Sequence, residues 1–171
     1  MMTRRTLLLA GAALGAFAAT SKYAKAGTMS TAPTTQDIDW KKLTDAEWHK
    51  RLTPAQYNVL RNHGTERPGS SPLLREHRKG TFACAACALP LFSSAAKFKS
   101  GTGWPSFYEP LPDAVGTKTD RSFFMTRTEV HCRRCEGHLG HVFDDGPKPT
   151  GLRYCMNGVA LKFEPASASS S

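Results

Sequence analysis

The chain predicts a mainly β (α+β) fold, in which a small antiparallel β structure carries two or three short helices on its N-terminal side. Three observations predict it. Helix-start signals are confined to the first part of the domain, at Thr44 and Thr53. After Gly80 the apolar and β-branched residues come in short runs broken by Gly, Pro and Asp clusters, the pattern of short strands. Two C-x-x-C pairs, Cys84 with Cys87 and Cys132 with Cys135, mark tight turns that aim two thiolates each.

The N-terminus reads as a targeting segment. Arg4 and Arg5 precede 13 apolar residues, Leu7 to Ala19, and Ala24, Lys25 and Ala26 form a small-x-small cleavage pattern. A spanning helix needs about 20 apolar residues, so this is a signal peptide and no permanent membrane anchor is expected. The paired arginines, the Gly- and Ala-rich core and Lys25 before the cut resemble a bacterial twin-arginine (Tat) signal, with an ordinary secretory signal as the alternative. Residues 1–26 are then removed near Ala26 after passage through the Tat translocase, which leaves a periplasmic protein. That removal takes four cations, Arg4, Arg5, Lys22 and Lys25, and no acid, so the formal charge falls from +9 to +5. No block of like charge remains to bind nucleic acid.

Residues 27–37 are a Ser/Thr/Pro linker, 38–164 form one domain, and 165–171 are a Ser/Ala tail expected to be disordered. Within the domain Thr44 and Glu47 form a capping box. Thr53 followed by Pro54 starts a second helix, which Gly64 is expected to end. Strands are expected over Phe123–His131, Leu139–Phe143, Leu152–Met156 and Val159–Phe163. Between the middle two, residues 144–151 are dense in turn formers. Antiparallel pairing about their centre sets Cys155 opposite Gly140 or His141, and Asn157 opposite His138 or Leu139. Arg153, Cys155 and Asn157 then share a face. His138 and His141 fall on opposite faces unless Gly140 supplies a bulge or bend.

Five cysteines divide as two pairs and one. The two pairs suffice for a tetrahedral four-thiolate zinc site, so the H-x-x-H of His138 and His141 is not needed as a metal ligand set. Cys155 is left over, as either a buried inert thiol or a nucleophile. A thiol of pKa about 8.5 is only a few percent thiolate at neutral pH, so a site that lowers it gains up to roughly 30-fold in nucleophile. Arg153, two residues away, and the histidine strand are placed to do so.

The runs GTERPGS (64–70), FACAACALPLFSS (82–94), KFKSGTGWPSFYEP (97–110), RTEVHCRRCEGHLGHVFDDGP (127–147) and GLRYCMNGVALKF (151–163) together resemble the B-type methionine sulfoxide reductases, across nearly the whole mature domain. The resemblance implies antiparallel sheets forming a barrel-like core, with a structural zinc on Cys84, Cys87, Cys132 and Cys135, distal to the site. It also implies reduction of methionine-R-sulfoxide, free or in proteins, by Cys155 through a sulfenic acid, as part of protein repair under oxidative stress. Sulfoxide reduction needs a proton for the departing oxygen and donors that polarise S=O. His138, His141 and Asn157 match the family's active-site positions, with Asp145 orienting an imidazole or water and Arg153 beside the thiolate. Trp104, held in a loop by Gly101, Gly103 and Pro105, matches the residue that meets the substrate, and Phe143 completes the pocket. The competing readings are an Asp145 that only shapes the turn, an Arg153 in a surface ion pair, and a Trp104 that fills the core.

Thr102 departs from the family, many members of which carry a resolving cysteine there. With the other four cysteines on zinc, either an external thiol, thioredoxin-like or other, regenerates Cys155 in a monomer or a zinc ligand is sacrificed. The first is expected, since losing the zinc would forfeit about 10 kcal/mol or more of folding support. Two other classes of protein compete with this reading. A zinc-ribbon binding module leaves Cys155 and Trp104 unused, and the 44 residues between Cys87 and Cys132 exceed ribbon spacing. An exported domain stapled by two disulfides is the other.

Overall fold

The computed structural model describes residues 38–122 and 125–167; the expected signal peptide and linker, with 123, 124 and 168–171, lie outside the described residues. Helix α1 spans Asp45–Arg51 and α2 spans Pro54–Leu60. Both begin in reciprocal capping boxes, Thr44 with Glu47 and Thr53 with Gln56. Loss of either cap hydroxyl costs about 1 kcal/mol. A third, 3-10 turn covers Pro72–Arg75. Helix α2 stops at Leu60, earlier than the expected end at Gly64. Arg61 closes it, and its guanidinium donates to the Cys135 carbonyl at 3.1 Å. Gly64 instead donates its N–H back to the Asn58 carbonyl at 2.9 Å, where any Cβ would collide with the Asn58 side chain.

Nine strands follow among the described residues: β1 Gly80–Cys84, β2 Pro90–Ser93, β3 Lys97–Phe98, β4 Ser106–Phe107, β5 Val115–Asp120, β6 Arg127–Cys132, β7 His138–Phe143, β8 Arg153–Met156 and β9 Leu161–Pro165. All pairings are antiparallel, in a three-stranded sheet of order β2-β1-β9 and a six-stranded sheet of order β3-β4-β8-β7-β6-β5. The expected barrel-like closure is not found: among the described residues β3 and β5 remain separate edges of the larger sheet. Strands of two residues, such as β3 and β4, are too short to carry the staggered register that closure requires.

The two sheets meet through aromatic side chains. Phe82 of β1 and Phe92 of β2 lie 5.0 and 4.4 Å, ring to ring, from Phe107 of β4, and all three are fully buried. Truncating any of them to alanine costs about 3–5 kcal/mol. Val59 and Leu60 of α2 join the same core, and α2 packs on β7. Strand β6 begins at Arg127, inside the expected 123–131 run. Strand β9 begins at Leu161 because Gly158 and Val159 donate their N–H groups to the Glu66 carboxylate and turn away from the ladder. It runs on through Pro165, and Ala166 N–H donates to the Lys79 carbonyl at 3.0 Å.

Candidate active site

Strands β7 and β8 pair about the expected turn, with His141 opposite Cys155 and Gly140 opposite Met156. Beyond the strand end, Asn157 N–H donates to the Leu139 carbonyl at 2.8 Å. Gly140 is required by close approach, since a Cβ there would run into the Cys155 carbonyl oxygen. On the other side of β7 the register slips: Val130 pairs with Gly140 but His131 with His138, so Leu139 is an extra residue. That bulge turns His138 and His141 toward each other, with ring centroids 5.4 Å apart in an edge-to-face arrangement.

Cys155 is a half-buried free thiol at the floor of a cleft of about 120 Å³. Trp104, His141, Phe143 and Asn157 wall it, with Thr65, Arg127 and Gly140. His138 is not among the walls. It stands behind His141, buried, lining a neighbouring hollow. Trp104 is half-exposed and outside the core; its indole N–H donates to the Glu66 carbonyl at 3.1 Å. Its loop needs left-handed backbone at Gly101 (φ 79°) and Gly103 (φ 93°), and Gly103 also accepts Gly69 N–H at 2.8 Å against Pro68. Thr102 in that loop sets its hydroxyl 3.7 Å from Cys155 Sγ.

Asp145 does not meet an imidazole. Its two oxygens accept from Arg153 Nε and Nη2, both at 2.8 Å, and the guanidinium lies 4.4 Å over the Phe143 ring. Arg153 therefore braces the phenyl wall of the cleft as well as neighbouring Cys155. That bidentate bond raises the Arg153 pKa; burial opposes the rise and the nearby Cys155 charge supports it. Asn157 is likewise engaged with backbone: Oδ1 accepts from Glu66 N–H at 2.9 Å and Nδ2 donates to the Leu139 carbonyl at 3.0 Å. One Nδ2 hydrogen is left for a ligand.

The carboxylates on the histidines are ones the sequence reading passed over. His141 Nε2 donates to Asp120 Oδ2 at 2.7 Å, and Arg127 donates to the same oxygen at 2.8 Å. Hydrogen bonds from Ser122, then from His141, hold the Asp120 carboxyl well below the usual range. Glu129, 2% exposed, takes His138 Nδ1 at 2.8 Å, His63 Nδ1 at 3.1 Å and Lys118 Nζ at 3.0 Å. Burial alone would raise its pKa, but His138 and Lys118 outweigh burial and lower it. Glu66 and Glu129 lie in the runs 64–70 and 127–147, where a lone acid reads as surface; Asp120 lies in none of those runs.

Cys84, Cys87, Cys132 and Cys135 form a second centre. All four are buried, with sulfurs within 4.8 Å of one another and two separations of 3.5 and 3.7 Å. A disulfide would need about 2.05 Å. Zn–S bonds of about 2.3 Å in a tetrahedron place sulfurs roughly 3.8 Å apart, so the four thiols fit that ion. His63, Glu129 and His138 also converge within 4.8 Å. There the Lys118 ammonium already neutralises the carboxylate, and the group is a hydrogen-bonded network.

Residues 52–165 match the SelR domain family. The chain is similar to the peptide methionine sulfoxide reductase MsrB of Agrobacterium fabrum, 55% identical over 123 residues that cover 71% of this chain and 91% of that one. To the protein of that name from Thiobacillus denitrificans it is 57% identical over 123 residues, 71% of this chain and 93% of the relative. To that from Methanosarcina barkeri it is 58% identical over 122 residues, 71% and 86%.

Proposed function

Since the chain belongs to the SelR domain family, we propose that it is an oxidoreductase that reduces methionine-R-sulfoxide, free or in proteins, with Cys155 as nucleophile. The observation that carries this is a free thiol, separate from the four clustered cysteines, at the floor of a cleft walled by an indole, a phenyl ring and an imidazole. The two rings suit the S-methyl group, and donors beside the thiol suit the oxygen.

The balanced first step transfers oxygen from the substrate sulfur to Cys155. The thiolate attacks the sulfoxide sulfur, the oxygen is protonated, and methionine leaves while the cysteine becomes a sulfenic acid. In this reading His141, held by Asp120 and lining the cleft, supplies the proton, and His138 and Glu129 support it from behind. Asn157, fixed by Glu66 and Leu139, keeps one N–H for the oxygen. Regeneration takes two equivalents of an external thiol, thioredoxin-like or smaller: the first forms a mixed disulfide with loss of water, and the second releases Cys155. No second cysteine stands beside it, since Thr102 occupies the adjoining loop. Zinc on Cys84, Cys87, Cys132 and Cys135 has a structural role in this scheme. Arg4, Arg5 and the apolar run after them support Tat export to the periplasm.

The test is turnover of mature protein with dithiothreitol and each sulfoxide epimer separately. Methionine should form from the R epimer alone, and Cys155→Ser should reduce the rate to background with the fold intact. Equal rates on both epimers would remove the stereochemical part, and an active Cys155→Ser would move the chemistry elsewhere.

A further inference from the structure

We propose that a basic groove beside the cleft seats the polypeptide that carries the methionine sulfoxide and selects acidic sequence around it. This rests on the sulfoxide-reductase reading of the cleft. At about 120 Å³ the cleft has the liquid volume of roughly four waters, room for one side chain. The flanking residues of a polypeptide substrate must lie outside it. Trp104 is a wall of the cleft and also of a groove of about 810 Å³, which holds several residues of extended chain.

The charge of that groove is one-sided. Arg75, Lys97 and Lys99 line it against a single carboxylate, Glu76. Glu76 is taken up by Arg78, whose Nε and Nη2 donate to it at 3.0 and 2.6 Å. Lys97 is anchored in the wall by donating to the Leu74 carbonyl at 3.0 Å. Arg75 and Lys99 are exposed and form no ion pair among the described residues. Three cations facing one acid that Arg78 already engages, beside apolar surface from Phe98 and Trp104, fit an extended peptide with Asp or Glu near the oxidised residue. An exposed pair shifts binding by up to about fivefold, so the set shifts it on the order of tenfold.

The experiment compares kcat/KM for three short peptides with one central methionine-R-sulfoxide, flanked by Asp and Glu, by Gly and Ser, or by Lys. Dithiothreitol, small and uncharged, keeps a protein reductant out of the comparison, and free methionine sulfoxide is the reference substrate. At low salt the acidic peptide should exceed the Lys peptide by about tenfold, the gap should close at about 0.5 M salt, and Arg75→Glu with Lys99→Glu should invert it. A flat series, a preference that ignores salt, or an unchanged preference in the double variant overturns the groove while leaving the reductase reading in place. Wild-type protein inactive on free sulfoxide as well sinks the reductase reading, and this one with it.

Discussion

Thr102 Oγ1 is the end of a short run of hydroxyls. Ser106 Oγ lies 2.7 Å from Ser100 Oγ, Ser100 Oγ lies 2.9 Å from Thr102 Oγ1, and Thr102 Oγ1 lies 3.7 Å from Cys155 Sγ. Ser106 is buried opposite Cys155 on β4, so the chain is anchored in the core. A hydroxyl donor stabilises a thiolate and a sulfenate alike, and a hydrogen bond to a charged group contributes roughly 1.5–3 kcal/mol. At this long contact the low end applies. Thr102→Val should therefore slow single-turnover methionine formation by about tenfold, and Thr102→Ser should restore most of it. Thr102→Cys should change the product: wild-type Cys155 is left as a sulfenic acid that a dimedone reagent captures, whereas the variant should give an intramolecular disulfide and little adduct. Mass spectrometry after one turnover separates the two. A disulfide in wild-type protein would mean that a clustered cysteine takes part.

The strand pair β7 and β8 shows why part of the site can be read from residue order and part cannot. A turn-rich stretch between two apolar runs has one centre, and that centre alone puts Cys155 opposite Gly140 or His141; the structure has His141. The Thr44–Glu47 capping box and the Thr53 N-cap before Pro54 are equally local and appear as read, while the reciprocal bond from Gln56 is an addition of the structure. Long-range partners leave no such mark. Asp120 reaches His141 across β6, Glu129 collects His138, His63 and Lys118, and Glu66, which takes the N–H groups of Gly158 and Val159, holds Val159 out of the expected strand; each depends on chain folding that no local pattern encodes. The start of the bulge was legible as a need, and its position at Leu139 was not. The β7 element also carries a pH dependence. Burial lowers the His138 pKa below 6.5, and the hydrogen bond to Glu129 only partly offsets it. Above that pH the ring is neutral in folded and unfolded chains and no stability is lost. Below 6.5 the unfolded chain gains a proton that the folded one resists, so stability falls as pH drops toward the folded value. Urea midpoints from about pH 8 to about 5 should decline on the acid side, and His138→Gln should flatten the decline. An identical slope in that variant would assign the dependence to other groups.

At the scale of the whole chain, the proposed Tat route would couple export to metal loading. On the proposed Tat route the protein crosses the membrane already folded, so Arg4→Lys with Arg5→Lys should leave precursor in the cytoplasm with its metal bound; fractionation checks this, and unimpaired export would return the signal to the general secretory class. The four-cysteine cluster adds to the aromatic core a second tie between segments far apart in sequence. Its sulfurs join the β1–β2 connection to the β6–β7 connection, positions 45 and 51 apart in sequence, and β7 leaves Cys135 to reach His138 three residues on. A four-thiolate zinc site contributes about 10 kcal/mol or more of folding free energy, comparable with the whole stability of a typical domain of about 5–15 kcal/mol. Purified protein should therefore hold one zinc per chain, and Cys84→Ser or Cys132→Ser should lose the ion, cooperative unfolding and activity together. Cys155→Ser should lose activity alone, with metal content and circular dichroism unchanged. Folded, zinc-free protein with both C-x-x-C pairs oxidised would contradict this: the clustered thiols would then be structural disulfides, and the link between the metal and the histidine strand would fall.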